Sequence, residues 1–81
     1  MSDIPYQPIP CSQHEQLEFA ALRRIPLRLT YDTDSGPETR LVRVLDVFTR
    51  DGAEWLRFSD ETGAEAVIRL DRIVRFQERP L

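Results

Sequence analysis

The chain has 81 residues, of which 41% are hydrophobic and 31% charged, and its formal net charge is −3 with a pI near 5.0. A chain this short forms one domain and buries only about 60–65% of the surface that it exposes when unfolded, which leaves little room for a deep catalytic cleft. Domains that bind nucleic acids usually carry a basic patch. Here all eleven basic residues are arginines dispersed among acids, so the composition favours a basic protein partner over direct nucleic-acid binding.

No membrane association or secretion is expected from the sequence. No apolar run approaches the ~20 residues that span a bilayer, and the N-terminus lacks both the basic start and the apolar core of a secretion signal. The single cysteine, Cys11, cannot form a disulfide within the chain, and nothing indicates an oxidising compartment. The expected location is therefore the cytoplasm.

The N-terminal part of the chain predicts an extended segment followed by a helix. Prolines at positions 5, 8 and 10 keep the first segment out of a sheet interior, and Tyr6 and Ile9 are its expected anchors. Ser12 followed by Glu15 forms a capping-box pattern, which predicts a helix that begins at Ser12. The helix is expected to end near Arg24, because the residue before a proline is disfavoured in helical geometry.

Charge is unevenly distributed along the chain. Residues 1–22 contain Asp3, Glu15 and Glu18 and no arginine, whereas the other eleven acids are balanced by the eleven arginines. The whole net charge therefore lies in the first 22 residues. Glu15 and Glu18 share a helix face at i, i+3 spacing. They either stabilise the helix start through its dipole or form an acidic surface for a partner.

Alternating apolar residues after the helix predict five short strands. The second strand is long, and its apolar set changes phase from Val42 and Val44 to Leu45 and Val47, so a bulge or bend is expected to keep both sets inside. Asp51-Gly52 is a strong signal for a two-residue hairpin turn. Alternation gives the predicted core as Leu27, Leu29, Val42, Val44, Leu56, Phe58, Ile68, Leu70, Val74 and Phe76.

One helix followed by five strands, the second long and bent, predicts a mainly β (α+β) fold, namely an Sm-like small open five-stranded barrel with an N-terminal helix. A Tudor- or SH3-like barrel with an added helix is the alternative. The predicted organisation is a single domain over residues 1–81, made of an extended segment at 1–11, a helix at 12–24 and a barrel at 27–76.

Several motifs resemble those of a bacterial family. Tyr6-Gln7-Pro8-Ile9, then Cys11, then Leu17-Glu18 with Ala20 or Ala21, and the strand from Leu27 resemble the start of the Rof family, also called YaeO, of Rho-binding antiterminators. Arg69-Leu70-Asp71-Arg72-Ile73 is similar to that family's Arg-Leu-Asp-Lys-Ile. The resemblance covers about residues 6–76, with the motifs in the same order and at similar spacing.

The resemblance implies an Sm-like domain that is not an enzyme and needs no cofactor. It implies a monomer that binds the transcription termination factor Rho, obstructs its primary RNA-binding site and reduces termination. The implied contacts are His14, Glu15 and Glu18 on the helix and Arg50, Asp51 and Gly52 in the loop between the second and third strands. Arg50 matches the family, whereas Asp51-Gly52 stands where the better-known member has a lysine and an asparagine.

Two other functions are compatible with parts of the sequence. An Sm-like RNA-binding protein would use Tyr31, Trp55 and Phe58 to stack on bases, although aromatic residues at strand spacing are usually core. An enzyme or metal site would use Cys11, His14 and Glu15 at the helix start, where a thiolate is favoured. One cysteine and one histidine do not supply the usual four zinc ligands.

Overall fold

The computed structural model describes residues 5–78. It contains one α-helix, five strands and a short 3₁₀ helix at Leu70–Arg72 between the last two strands. Within this part of the chain, neither helix is long and apolar enough to cross a membrane. In chain order the main elements are α1 (Cys11–Arg23), β1 (Pro26–Thr33), β2 (Gly36–Arg50), β3 (Ala53–Asp60), β4 (Glu65–Arg69) and β5 (Ile73–Glu78).

The five strands form one antiparallel sheet in the order β4-β3-β2-β1-β5. The sheet is not closed, because β4 and β5 lie at its two edges. The 15-residue β2 is the longest strand and pairs with β1 along its first half and with β3 along its second half. This arrangement confirms the predicted fold class, a small open five-stranded barrel with an N-terminal helix.

The helix begins one residue earlier than predicted and lacks the predicted capping box. Pro10 occupies the N-cap position without a side-chain cap, and its carbonyl accepts hydrogen bonds from the N–H groups of Gln13 and His14 at 3.0 and 3.1 Å. Ser12 therefore lies inside the helix, where it cannot act as the cap. Glu15 lies beyond the first turn, which contains no acid, so of the two roles left open for Glu15 and Glu18, stabilisation of the helix start through its dipole is not supported.

The end of the helix is close to the prediction. Arg24 adopts the left-handed conformation (φ 55°), and the N–H of Ile25 bonds to the carbonyl of Ala20 at 3.0 Å. This pairing satisfies a carbonyl that the helix would otherwise leave open. Pro26 then starts β1, which is consistent with the helix stop expected before a proline.

The core lies between α1 and the face of the sheet that the helix covers. The buried cluster adds Leu17, Ala20 and Tyr31 to seven of the ten predicted core residues, and Ile68 and Phe76 are partly buried against it. The predicted anchors Tyr6 and Ile9 also pack against the cluster. The seven predicted residues that are fully buried are Leu27, Leu29, Val42, Val44, Leu56, Phe58 and Leu70.

Val74 was predicted in the core, and that prediction is wrong, because its side chain is 55% exposed. The register between β1 and β5 shifts here. Thr30 pairs with Arg75, but Tyr31 pairs with Ile73. Val74 is the extra residue of this irregularity, so Ile73 takes the inward position and packs against the core.

The predicted bulge in β2 is confirmed at Leu45. Val44 pairs with Phe58 and Asp46 pairs with Arg57, which leaves Leu45 as the extra residue. The bulge restores the inward phase for Val47, which packs against the core. The expectation that Leu45 also points inward is wrong, because the residue that breaks the alternation is itself 40% exposed.

Candidate functional site

The helix lies over β2 and brings its His14 against the neighbouring strand β3. The imidazole of His14 stands between two carboxylates. Its Nδ1 is 2.8 Å from Oε1 of Glu18, one turn further along α1, and its Nε2 contacts Oε2 of Glu54 on β3. Both ring nitrogens of His14 therefore face a carboxylate oxygen.

A groove of about 530 Å³ lies between α1 and the β2–β3 hairpin. We call it the helix–hairpin groove. The exposed carboxylates of Glu15 and Glu18 line its helix side, and Glu54 lines its hairpin side. The groove also contains Gly52 of the hairpin turn and the exposed thiol of Cys11. Three carboxylates from two elements therefore line one groove, and two of them contact its histidine.

The hairpin turn has the geometry that its sequence predicts. Asp51 and Gly52 both have positive φ, at 53° and 74°, which is the requirement of the type I′ turn that suits a twisted hairpin. Gly52 adopts such a φ without strain because it has no Cβ. Asp51 at the tip is almost fully exposed, and its carboxylate is 4.0 Å from Nε of Arg50.

The side chain of Arg50 lies on the opposite face of the hairpin from the helix. Its guanidinium stacks over the rings of Phe48 and Trp55 at 5.6 and 5.3 Å, and the indole N–H of Trp55 donates to the Arg50 carbonyl at 3.0 Å. Thr49 and Glu54, which alternate with these residues and pair across the strands, line the helix–hairpin groove instead. Alternation along a strand puts the two sets on opposite faces.

The structure thus brings together four of the six predicted site residues. His14, Glu15, Glu18 and Gly52 line one groove, whereas Arg50 and Asp51 do not. Glu54 is a member of the groove that the sequence reasoning missed. A signal for it was present, because Glu54 precedes the inward-facing Leu56 and Phe58 at two-residue spacing, and the helix had to cover that face of the sheet.

The segment before the helix is fastened by an ion pair at the far end of the chain. Arg69 donates to Asp71 in a bidentate pair at 2.7 and 2.8 Å, and Asp71 also accepts the N–H of Gln7 at 3.0 Å. Burial of Asp71 acts to raise the pKa of its carboxyl, but the hydrogen bonds from Arg69 and Gln7 outweigh burial and hold that pKa below its ordinary value.

Tyr6 links this clamp to the site. Its ring lies 5.8 Å from the guanidinium of Arg69, and it lines the helix–hairpin groove together with Glu54. Burial raises the pKa of the Tyr6 phenol, and the carboxylates of Glu54 and Asp71 raise it further. Tyr6 thereby connects the N-terminal segment, the hairpin and the Arg69–Asp71 pair, and it forms part of the wall of the helix–hairpin groove.

The residues proposed for the other two functions are placed differently. Tyr31 is 7% exposed and Phe58 1% exposed, and their tilted rings pack against each other at 5.7 Å between centroids. Neither ring is therefore available to stack on a base. The third candidate, Trp55, has the guanidinium of Arg50 stacked over its ring. Within residues 5–78, no group of three or more cysteine, histidine, aspartate or glutamate side chains has an arrangement that could hold a metal ion.

The fold and the site together define a small open-barrel domain with an acidic face on its N-terminal helix. No family model and no curated protein matches the chain. Among solved structures, the proteasome accessory factor B/C (PafBC) of Arthrobacter aurescens is similar, with a TM-score of 0.77 and 18% identity. The match covers 91% of this chain and only 12% of that one, so the likeness concerns one small part of a much longer protein and shows the fold alone.

Proposed function

We propose that this protein binds the transcription termination factor Rho near its primary RNA-binding site and inhibits Rho-dependent termination. It acts as a monomeric cytoplasmic protein without a cofactor and without direct contact to RNA. The observation that carries the proposal is the acidic surface of the helix–hairpin groove, where Glu15 lies beside Glu18 and Glu54, the two carboxylates that contact His14.

The charge of this surface suits such a partner. A site that accepts the RNA backbone must be positive, and an acidic surface is complementary to it. The three carboxylates come from α1 and β3, two elements that His14 holds together. A surface fixed in this way loses little conformational entropy on binding. The net charge of residues 1–22 adds a longer-range attraction that speeds association at low salt.

The sequence motifs that carry the resemblance to the Rof family also give some support. Tyr6-Gln7 and Arg69-Leu70-Asp71 stand near opposite ends of the chain and contact each other directly through the Gln7–Asp71 hydrogen bond and the Tyr6–Arg69 stack. Leu70 between them is fully buried. These residues therefore have a joint structural role, which supports reading the two motifs as parts of one resemblance.

The proposal is tested by competition for Rho. Purified Rho is loaded with a fluorescent pyrimidine-rich RNA, and the protein is titrated while anisotropy is recorded, in parallel with a transcription-termination assay. The wild-type protein is expected to displace the RNA and to reduce termination. The double variant Glu15→Lys/Glu18→Lys is expected to lose both effects, because close, desolvated charge pairs at an interface couple by about 1.5–7 kcal/mol.

A matched control distinguishes the effect of the site from the effect of net charge on RNA competition. Glu61→Lys/Glu65→Lys changes the net charge equally, but both residues are exposed at the β3–β4 hairpin and line neither side of the groove. This control is expected to displace RNA like the wild type. The proposal fails if the wild-type protein leaves RNA on Rho, or if the folded Glu15→Lys/Glu18→Lys variant competes as well as the wild type.

A further inference from the structure

A second groove lies on the other side of α1, between the helix and the edge strand β5. It has a volume of about 470 Å³ and is open to solvent on one side. We call it the helix–β5 groove. Its lining includes Glu15 and Phe19 from the helix, Leu27 from β1, and Phe76 and Glu78 from β5. Glu15 lines both grooves, so the two form one continuous surface around the exposed side of α1.

The floor of this groove is apolar. Phe19 is 48% exposed even though its ring is large, and Phe76 and Leu27 line the same groove. Leu22, the next exposed residue on the same helix face, is 80% exposed and extends the apolar strip. A small domain gains stability by burying such side chains, and exposed apolar patches that are rimmed by polar groups mark interaction surfaces.

The rim of the groove is acidic. Glu15 stands on the helix side and Glu78 on the strand side, and the lining residues that belong to the described range 5–78 include no arginine. The nearest cation on the helix is Arg23, whose guanidinium lies 5.1 Å from the centre of the Phe19 ring. An aromatic floor between two carboxylates disfavours a phosphate backbone and suits a cationic segment, because a guanidinium can pair with a carboxylate and stack on an aromatic face.

We propose that the helix–β5 groove binds one large apolar side chain of a basic protein segment, whose neighbouring arginine or lysine residues pair with Glu15 and Glu78. The identity of this partner rests on the proposed function. If the protein binds Rho, the segment belongs to Rho. The interface with Rho is then not purely electrostatic, because it contains an apolar anchor beside the acidic surface. Such buried anchors contribute most of the binding energy of protein interfaces.

The first experiment measures the affinity for Rho with variants of the groove. Phe19→Ser removes the aromatic floor, and Gln16→Arg adds a positive charge beside it; both positions are exposed on α1. Each variant is expected to bind Rho at least about tenfold more weakly. The binding of Phe19→Ser should keep most of its salt dependence, because this change removes no charge. Val67→Ser, which removes a 43% exposed apolar side chain from β4 at the other edge of the sheet, is the matched control and is expected to bind normally. A folded Phe19→Ser variant that binds Rho like the wild type overturns the anchor.

Failure of the wild-type protein to bind Rho would refute the proposed function but not the existence of the peptide-binding groove. The second experiment tests the groove in that case. The isotope-labelled full chain is titrated with three synthetic peptides, in which a central tryptophan is flanked by arginines, the tryptophan is replaced by serine, or the arginines are replaced by glutamates. The first peptide is expected to shift the amide signals of Phe19, Phe76 and Glu78, with an affinity about tenfold above the other two. Equal responses to the three peptides, or shifts confined to other parts of the chain, overturn the inference.

Discussion

His14 of α1 contacts Glu54 of β3 through Nε2, while its Nδ1 is held 2.8 Å from Glu18 on its own helix. His14 therefore joins the helix to the β2–β3 hairpin and sets the spacing of these carboxylates, while the buried Leu17 and Ala20 hold the helix on the sheet. The contact is partly exposed, so its effect on stability is small. Its importance lies in holding an acidic surface in a single arrangement before a partner arrives.

Glu54 is predicted to contribute to binding although it lies outside the helix. Glu54→Gln keeps the shape of the side chain and removes its charge. We expect this variant to bind Rho about threefold to tenfold more weakly and to show a shallower salt dependence, because one carboxylate of the acidic surface is lost. The measurement is RNA competition on Rho at several salt concentrations. Glu65→Gln on β4 is the matched control, and equal affinities of the two variants would exclude Glu54 from the interface.

Glu15→Lys alone is expected to leave the fold as stable as that of the wild type. The sequence suggested that Glu15 caps the helix, in which case this change would destabilise it. In the structure the carbonyl of Pro10 starts the helix and no side chain caps it, so Glu15 has no capping bond to lose. Chemical denaturation should give a free energy of unfolding within about 0.5 kcal/mol of the wild-type value. A loss of about 1 kcal/mol or more in the free energy of unfolding would show that Glu15 does contribute to capping the helix.

The sequence predicts the elements of this fold well because polar and apolar residues alternate along most strands and the turns carry strong local signals. Asp51-Gly52 and the stop before Pro26 are examples. The errors at Val74 and Leu45 have a common cause. Each is the extra residue of a β-bulge, and the pattern indicates that a phase change exists but not which residue turns outward. The tertiary contact of His14 with Glu54 depends on how the helix docks, which no local pattern encodes.

Leu70→Ala is expected to remove a large part of the stability of the domain. Leu70 is fully buried in the short 3₁₀ helix that connects β4 to β5, and truncating a buried leucine costs roughly 2–5 kcal/mol because a cavity is left behind. Leu22→Ala is the matched control, since the 80% exposed Leu22 side chain should contribute within about 0.5 kcal/mol. Urea denaturation compares the two, and equal stabilities would contradict the central position of Leu70 in the core.

Stability is expected to fall in acid, partly through Asp71. Hydrogen bonds from Arg69 and Gln7 hold its pKa below the ordinary value of 3.8 despite burial, so the unfolded chain takes up the proton first as pH falls. The stabilisation is therefore complete above that ordinary value and is lost as pH drops through the lower pKa of the folded state. Asp71→Asn should cost roughly 1–3 kcal/mol at neutral pH and should flatten the pH dependence of the unfolding free energy in this acid range.

Some acid dependence should remain in Asp71→Asn. The pKa of Asp60 is also lowered, first by the hydrogen bond from the Thr62 hydroxyl and then by the backbone N–H groups of Thr62 and Ala64. The comparison is made by urea denaturation of both proteins between neutral pH and the acid limit of folding. An unchanged slope in Asp71→Asn would show that the clamp on the N-terminal segment does not depend on the charge of Asp71.

The isolated protein is expected not to bind RNA at physiological salt with a dissociation constant below about 1 µM. The three aromatic residues considered for base stacking do not form a platform, since Tyr31 and Phe58 are buried and Arg50 covers part of Trp55. Its exposed helix face carries Glu15 and Glu18, which repel phosphates. Titration of a labelled pyrimidine-rich RNA with the protein, followed by anisotropy, tests this directly. Tight, salt-dependent binding in that titration would favour the Sm-like RNA-binding function. Displacement of RNA from Rho would then be explained by capture of the RNA rather than by occupation of the RNA-binding site of Rho.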